Sequence, residues 1–484
     1  MNSRKHVRIR RLALPVLTLL ACLILGSAAA DLTIKAGRVN PFVPNILTVK
    51  SDEPGLLTIR VEGRMNAVTA LPVEAGTTEV TWRALSWNDE PLLKGNVRLT
   101  AELTLADGSV RTAECTANVR LARAAVLYCL PEHDRYAIGG APLRVEVGVS
   151  EKGRVRVELV SAKEGAAPVW VSVSEIAAGN TEHMLIWDWR RPKAELVPGE
   201  YRLRAWTLAC PEQLIEVPLT LTENRETSGE LFLTGSLIPG DPDDDAAVWA
   251  ALCAPVVVGD GGEGSGLHLY TEPDPNAPRA GSVNCATVCL TVLDLSDEKW
   301  AKVGAWVQRG GEYVEGYVLK KKLKTVEVNC RYGVLVDKNT QTLRVYEDGH
   351  CIGSAVVSTG YQIGGKYLTN SETRAGAYLV GTRWTRFSDG GFTYQYPIRI
   401  DGLNLIHQVG WRTKQGVPAG FAEQHPLLGQ KVSHGCIRVD CLPGEDGGIN
   451  AYWLWTHLGH NTKILIIDDP EVRHARMDEM GMEY

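Results

Sequence analysis

The sequence predicts a mainly β, multidomain protein. Its 484 residues exceed what one hydrophobic core serves, since a domain averages roughly 150 residues. Short runs that alternate apolar and polar residues recur along the chain and are separated by Gly, Pro and Asn, a pattern typical of half-buried strands joined by turns. The composition, 44% hydrophobic and 22% charged, is that of a globular protein. The net charge of -6 gives no electrostatic reason to expect nucleic acid as a partner.

The first thirty residues have the three parts of a secretory signal. Arg4 and Lys5 begin a basic front, an apolar run covers 12–25, and the small residues 28–30 precede Asp31. The apolar run is shorter than the roughly 20 residues that a helix needs to span a bilayer. Cleavage after this segment is therefore favoured over an uncleaved membrane anchor, which is the alternative. We expect a secreted protein that contacts the membrane only through this segment, if it is retained.

Residues 31–224 contain two similar units. In each unit a predicted strand ends near a tryptophan, and a second predicted strand begins near a glycine further along the chain. The pairs are Trp82 with Gly95 and Trp187 with Gly199. Units of roughly 100 residues with a central Trp are typical of immunoglobulin-like sandwiches. We expect them to provide spacing and presentation and no chemistry. The predicted immunoglobulin-like β-sandwiches cover residues 31–122 and 123–224.

Residues 225–253 are predicted to be a solvated linker. Their acidic run 241–245 resembles the start of a calcium-binding loop. However, Ala246 and Leu252 stand where such a loop needs Gly and Glu. We therefore expect no calcium site here.

The next segment, 254–325, has five short strand patterns. The pieces 267–273, 300–303 and 316–319 resemble the bacterial SH3-like family at its three usual landmarks. The resemblance implies a small barrel, and modules of this family often bind cell-wall peptides. The alternative is a structural spacer, because a fold alone does not determine function.

Residues 326–469 carry the candidate catalytic residues in a β-rich pattern with one helix near 449–458. A cysteine attacks as its thiolate, and a neighbouring imidazole can take the proton. His434 lies two positions before Cys436, so both side chains share one face of an extended segment. His407 belongs to another apolar strand and can approach across the sheet.

Three further residues complete this cluster. Ser433 precedes it, and Gly435 leaves room for a substrate carbonyl to approach backbone N–H groups. Arg438 lies on the same face as the cysteine and is a candidate carboxylate clamp. The alternative, a buried structural cysteine beside ordinary histidines, is disfavoured by so many polar groups together.

The cysteine spacings match no tidy zinc pattern, so we expect neither a metal nor a cofactor. Cys129 and Cys210 bracket the second sandwich in a way that permits a disulfide, although sequence alone does not determine the pairing.

The cluster resembles the L,D-transpeptidase (YkuD-type) catalytic domain family. The hallmark of that family is a His upstream of a Ser/Thr-His-Gly-Cys stretch that usually continues with Arg. The matching residues are His407, Ser433, His434, Gly435, Cys436 and Arg438. Residues 358–360 and 373–376 match two further landmarks, although Arg374 stands where Pro is common. An insertion at 414–430 predicts an enlarged loop over the cleft.

The resemblance implies a role for each matching residue. Cys436 is the implied nucleophile, His407 the base and His434 a residue that orients and polarises the site; Gly435, Ser433 and Arg438 are the implied oxyanion and substrate-binding residues. The implied partner is a peptidoglycan stem peptide in the cell envelope. Its acyl group passes through a thioester to an amine of a neighbouring stem, giving a 3→3 cross-link.

Three alternatives stay open. Hydrolysis of the thioester makes the protein an L,D-carboxypeptidase that uses the same residues. A degenerate site makes it a non-catalytic wall-binding protein. A general thiol peptidase requires activity on all-L peptides. The last predicted segment, 470–484, is a charged tail.

Overall fold

The computed structural model describes most of the chain after the first thirty residues. The described ranges are 32–39, 45–62, 67–82, 94–120, 124–176, 183–223, 229–307, 312–360, 371–402, 404–412, 414, 419–442 and 448–479. The predicted secretory signal lies outside them and stays a prediction. No helix within these ranges is long and apolar enough to cross a bilayer.

The first sandwich has a three-stranded sheet, β1-β3-β6, packed on a five-stranded sheet, β2-β8-β7-β4-β5. Its strands are β1 (Thr33–Ala36), β2 (Arg38–Val39), β3 (Asn45–Ser51), β4 (Gly55–Val61), β5 (Ala67–Val73), β6 (Gly76–Trp82), β7 (Lys94–Thr104) and β8 (Val110–Arg120). Trp82 is buried between the sheets with Leu47 and Leu57. The alternation of the sequence directs these residues inward, as predicted.

The second sandwich repeats this layout with sheets β14-β11-β9 and β10-β16-β15-β12-β13. Its strands are β9 (Val126–Pro131), β10 (Arg135–Ala137), β11 (Leu143–Val149), β12 (Gly153–Ser161), β13 (Pro168–Ile176), β14 (His183–Trp187), β15 (Gly199–Thr207) and β16 (Cys210–Thr222). Trp187 stacks on Trp170 in the core, with ring centroids 5.6 Å apart. At the start of β15 the Tyr201 hydroxyl donates to the Val197 carbonyl at 2.9 Å, the tyrosine corner of immunoglobulin-like sandwiches. Where the sequence predicted two similar units, the structure has two sandwiches, each with eight strands among the described residues.

Helix α1 (Asp245–Cys253) occupies the segment predicted to be a solvated linker, and this part of the prediction was wrong. The Asp244 carboxylate caps the helix by accepting hydrogen bonds from the N–H groups of Ala246 and Ala247. Val248 and Leu252, four residues apart, are buried against the sheet that follows. The acidic run therefore begins a docked helix.

A small β unit comes next. Its strands are β17 (Val256–Gly259), β18 (Gly266–Tyr270), β19 (Arg279–Asn284), β20 (Cys289–Asp294), β21 (Trp300–Trp306), β22 (Tyr313–Leu319) and β23 (Leu323–Val326). They form one curved sheet in the order β19-β18-β22-β21-β20-β17-β23. The likeness of this unit to the SH3-like family stays a prediction.

The last unit is built on an eight-stranded mixed sheet in the order β27-β33-β24-β25-β26-β32-β31-β30. Its elements are β24 (Asn329–Asp337), β25 (Thr342–Glu347), β26 (His350–Ser358), β27 (Gly376–Leu379), β28 (Arg386–Asp389), β29 (Phe392–Gln395), β30 (Ile398–Asp401), β31 (Asn404–Gln408), β32 (Ile437–Val439), α2 (Ala451–His457), β33 (Thr462–Ile467) and α3 (Pro470–Glu479). Strands β28 and β29 form a separate hairpin. Helix α2 is the one predicted near 449–458, and α3 lies in the predicted charged tail.

The small β unit and the last unit share one hydrophobic core. Apolar side chains from both units, such as Leu290 and Val303 from the first and Val334 and Ile437 from the second, belong to a single buried cluster. Tyr128 of the second sandwich joins the same cluster. The three units are therefore packed against one another and do not form independent domains joined by linkers.

A buried ion pair also connects the second sandwich to the last unit. Arg383 Nε lies 3.2 Å from Glu146 Oε2, and neither side chain is exposed. The guanidinium of Arg383 also donates to the carbonyl oxygens of Trp455 and Leu458 at the C-terminal end of α2. His460, which follows α2 in the chain, places its Nε2 3.3 Å from the Glu146 carboxylate. This interface is therefore specified by charge as well as by apolar contact.

Candidate active site

Strands β31 and β32 bring three of the predicted site residues together. The strands are parallel neighbours, with His407 opposite Arg438. Cys436 directly precedes β32, two residues before Arg438, so its side chain lies on the same face of the strand. Strand spacing and rise put the Cα atoms of His407 and Cys436 roughly 8 Å apart on this diagonal. Cys436 is partly exposed as a residue, although its thiol is buried enough for its pKa to be raised.

His407 is arranged to accept a proton. Its Nδ1 donates to the backbone carbonyl of Gln408 at 2.6 Å, which leaves Nε2 as the acceptor. Burial lowers the pKa of His407 to about 4, and the positive charge of Arg438 acts in the same direction. The imidazole is therefore neutral at neutral pH.

The thiol of Cys436 is also held in its neutral form at rest. Burial raises the pKa of Cys436, although a hydrogen bond with the Leu405 backbone and the charge of Arg438 oppose this shift. The resting pair is therefore a thiol and a neutral imidazole.

The turn that carries the cysteine is fixed by side-chain hydrogen bonds. Ser433 Oγ donates to the Cys436 carbonyl at 2.5 Å and accepts from the Gly435 N–H at 3.2 Å. Gly435 has φ near 106°, which a residue with a Cβ rarely adopts. Ser433 therefore shapes the turn. Because the Gly435 N–H is already bonded to Ser433, it does not point at a substrate oxygen in this structure.

Thr373 connects the two upstream landmarks to this turn. Its Oγ1 accepts from the Gly360 N–H at 2.6 Å and donates to the Gly435 carbonyl at 2.9 Å. A Cβ on Gly360 would come within 2.5 Å of the Gly435 backbone, so only glycine permits this close approach. The landmarks at 358–360 and 373–376 thus position the turn that carries the nucleophile candidate.

Replacing Thr373 tests that role. We expect Thr373→Val to leave the buried Gly360 N–H and Gly435 carbonyl unsatisfied, at a cost of about 1–3 kcal/mol in the free energy of unfolding. The reactivity of the Cys436 site should fall at the same time. Thr373→Ser keeps the hydroxyl and should lose little of either. Urea unfolding and the rate of adduct formation at Cys436 measure the two effects, and equal losses in both variants would contradict the role.

A buried charge cluster supports the segment that holds Thr373. Lys338 Nζ lies 2.6 Å from Glu372 Oε1 and 2.7 Å from Asp469 Oδ1. Lys431, two residues before Ser433, contacts the same two carboxylates. The cluster therefore anchors both sides of the turn through the residues adjacent to it.

An aromatic hairpin covers His407, and sequence reasoning missed it. Phe387 of β28 and Tyr394 of β29 stack on each other and both contact the His407 ring edge-to-face, with centroids 5.3 and 4.8 Å away. Asp389 at the tip of the hairpin is close enough for its charge to raise the pKa of Cys436. These rings exclude water from the imidazole. No spacing in the sequence connects them to it.

The described part of the insertion at 414–430 packs beside the site. Gln424 accepts from the Gly410 N–H at 2.9 Å and donates to the Tyr394 hydroxyl at 3.1 Å. The insertion thus supports the aromatic hairpin. The predicted loop over the cleft includes residues 415–418, which lie outside the described residues, so that part stays a prediction.

His425, also in the insertion, lies with Asp440 and Cys441 in a group whose potential metal ligands lie within 4.8 Å of one another. Its Nε2 is 3.1 Å from Asp440 Oδ1, and this hydrogen bond raises the pKa of His425. This hydrogen bond explains why His425 and Asp440 lie close together.

Arg438 and His434 differ in their surroundings. Arg438 is 8% exposed, yet no carboxylate in the described part of the chain pairs with its guanidinium. A nearly buried cation that has no carboxylate partner among the described residues is suited to an anionic ligand, and the clamp role of Arg438 stays a prediction. His434 is exposed, and its imidazole has no hydrogen-bond partner among the described residues. Its orienting role stays a prediction.

The lowered pKa of His407 has a consequence for stability. The unfolded chain binds a proton at His407 below about pH 6.5, whereas the folded protein does so only below about pH 4. The free energy of unfolding should therefore fall as the pH drops through this window. We expect His407→Gln to reduce the loss between pH 7 and pH 5 by about 1–2 kcal/mol, measured by urea unfolding. An unchanged pH profile would mean that His407 titrates normally.

The comparisons with known proteins agree with this geometry. A family profile described as YkuD, L,D-transpeptidase catalytic domain, matches residues 331–466. Residues 331–466 therefore match the L,D-transpeptidase catalytic domain family, and they lie within the predicted range 326–469. No curated protein matches the chain.

Several solved structures are similar to parts of the chain. An L,D-transpeptidase from Xylanimonas cellulosilytica is 21% identical, with coverage of 28% of this chain and 60% of that chain and a TM-score of 0.21. One from Mycobacterium tuberculosis is 18% identical, with coverage of 48% and 87% and a TM-score of 0.22. One from Mycobacterium smegmatis is 12% identical, with coverage of 56% and 92% and a TM-score of 0.22. At these TM-scores the assignment of the domain rests on the family match alone.

Proposed function

We propose that the protein is a cysteine-dependent peptidoglycan L,D-transpeptidase. Cys436 attacks the amide between the L-centre of the third stem residue and the terminal D-Ala, and a thioester forms as D-Ala leaves. An amine of a neighbouring stem then attacks the thioester, releases Cys436 and gives a 3→3 cross-link. The observation that carries this proposal is the pairing of β31 and β32 within the matched domain, which puts His407 opposite Arg438, two residues along the chain from Cys436.

Each residue has a step in this reaction. His407 Nε2 takes the thiol proton during attack and returns it to the departing amine, consistent with an imidazole that is neutral at rest. Arg438, whose guanidinium has no carboxylate partner among the described residues, binds a stem carboxylate. The exposed His434 orients the incoming group at the mouth of the site. Backbone N–H groups of the turn stabilise the oxyanion once substrate binding rearranges their hydrogen bonds.

The remaining units fit a role in the cell envelope. The predicted secretory signal directs the chain outside the cytoplasmic membrane, where its substrate lies. The two sandwiches act as a spacer for the catalytic domain. The small β unit, by its resemblance to SH3-like modules, contacts wall peptides.

The test is incubation of the purified protein, without its first thirty residues, with defined tetrapeptide muropeptides, followed by mass analysis of the products. Cross-linked dimers with loss of D-Ala support transfer. Tripeptides alone support the alternative, an L,D-carboxypeptidase with the same residues. Intact substrate together with wall binding would support a non-catalytic wall-binding protein and overturn the proposal.

Simple thiol labelling does not separate these functions. Because burial raises the pKa of Cys436, slow alkylation at neutral pH is expected even of a competent enzyme. An acyl adduct on Cys436 that requires the stem peptide is the decisive observation.

A further inference from the structure

Two cysteines outside the active site meet where helix α1 docks on strand β24. Cys253 is the last residue of α1, and Cys330 is the second residue of β24. Cys330 Sγ lies 3.7 Å from the Cys253 carbonyl oxygen, and the two thiols are near enough that each shifts the pKa of the other. Both residues are half-buried, so a small reagent can reach the pair.

The backbones of both cysteines are held in place. Lys463 Nζ donates to the carbonyl oxygens of Ala251 and Ala254, on either side of Cys253, at 2.7 and 2.5 Å. The Cys330 N–H donates to Asp134 Oδ1 of the second sandwich at 3.0 Å. Because the Cys330 sulfur already touches the Cys253 backbone, rotation of the two side chains is the movement that a disulfide between them requires.

The helix itself approaches the strand closely. A Cβ on Gly333 of β24 would lie 2.6 Å from a carbon of the Leu252 side chain, so glycine is needed for α1 to dock at this depth. The contact between the cysteines is therefore part of a tight interface and not a chance encounter of surface groups.

We propose that Cys253 and Cys330 form a disulfide that locks helix α1 onto the catalytic domain when the protein is exposed to a disulfide oxidant. This cross-link is independent of the proposed reaction at Cys436. It closes a loop across the small β unit, because the two residues are 77 positions apart. Cys129 and Cys210, the pair that the sequence permitted, are buried, whereas Cys253 and Cys330 are partly exposed; all four are free thiols in the structure.

The contact between Cys253 and Cys330 indicates which of the two thiols reacts first with the oxidant. The hydrogen bond from Cys253 lowers the pKa of Cys330, so the Cys330 thiolate attacks a sulfur of the oxidant and one oxidant thiol leaves. Cys253 then attacks the Cys330 sulfur in the mixed disulfide, and the second oxidant thiol leaves. The two cysteines are oxidised, the oxidant disulfide is reduced, and their two protons end on the released thiols.

Peptide mapping of the full chain tests the proposal. After incubation with glutathione disulfide, trypsin should release peptide 226–279 joined to peptide 325–331, each with a single cysteine, and the joined mass should be about 2 Da below the sum. Reduction should separate them. Both peptides recovered as free thiols, or 325–331 recovered only as a glutathione adduct, would overturn the proposal.

A second measurement is thermal unfolding with and without reductant. The oxidised protein should unfold about 5 °C or more above the reduced protein. Cys253→Ser should remove this difference, whereas Cys351→Ser, at an exposed cysteine, should keep it. An equal difference in both variants would mean that another pair is responsible.

Discussion

Cys436→Ala should abolish the acyl adduct with a stem peptide and lower kcat/KM by about 10⁴-fold or more, since removal of a nucleophile leaves only binding and oxyanion contributions. In activation free energy this loss corresponds to about 5.5 kcal/mol. The fold should survive, because Cys436 is partly exposed as a residue and the turn is held by Ser433 and Thr373 through contacts that do not involve the sulfur. Intact-protein mass after incubation with muropeptide measures the adduct.

The matched control for this experiment is Cys351→Ala. Cys351 is an exposed cysteine on β26 of the same sheet, and its removal should leave both the adduct and turnover unchanged. Urea unfolding of both variants separates a lost nucleophile from a lost fold. Retained turnover in Cys436→Ala would exclude the cysteine mechanism.

The second large effect is expected at the ion pair between the second sandwich and the catalytic domain. Arg383→Met keeps the approximate volume but leaves the Glu146 carboxylate buried without its guanidinium, which costs about 3–5 kcal/mol in the free energy of unfolding. Although burial opposes ionisation, Arg383 and His460 hold the pKa of Glu146 below its usual value. The carboxylate is therefore charged at neutral pH. Urea unfolding measures the loss.

Two controls define the origin of that loss. Adding Glu146→Gln to Arg383→Met removes the stranded charge and should recover part of the stability. Arg204→Met breaks an ion pair with Glu216 that is more than a third exposed, and it should cost less than about 1 kcal/mol. If Arg204→Met and Arg383→Met lower the free energy of unfolding by the same amount, burial does not explain the loss at Arg383, and the prediction is wrong.

The strand architecture could be predicted because the period-two pattern is local. Leu57 and Ile59 of β4 are both buried, as expected for apolar residues at every second position of a strand. Helix α1 was missed because its burial is not local. Its acidic start is typical of a solvated segment, and only the docking of Val248 and Leu252 on a distant sheet turns it into a packed helix.

The same division applies to the candidate site. Cys436 and Arg438 are close in sequence, so their common face follows from strand geometry, and the family motif identified His407. The resting charge state could not be predicted, because the pKa of His407 depends on burial by an aromatic hairpin far along the chain. The use of the Gly435 N–H within the turn likewise depends on the rotamer of Ser433.

The buried cluster shared by the small β unit and the catalytic domain affects how the protein can be divided. A fragment that begins at residue 331 would lack Leu290, Val303 and their neighbours. The side chains that pack against them, such as Val334, would then be exposed to solvent. Such a piece should aggregate, although the family match covers it fully. The smallest autonomous folding body thus begins well upstream, and the two units should melt in a single cooperative step.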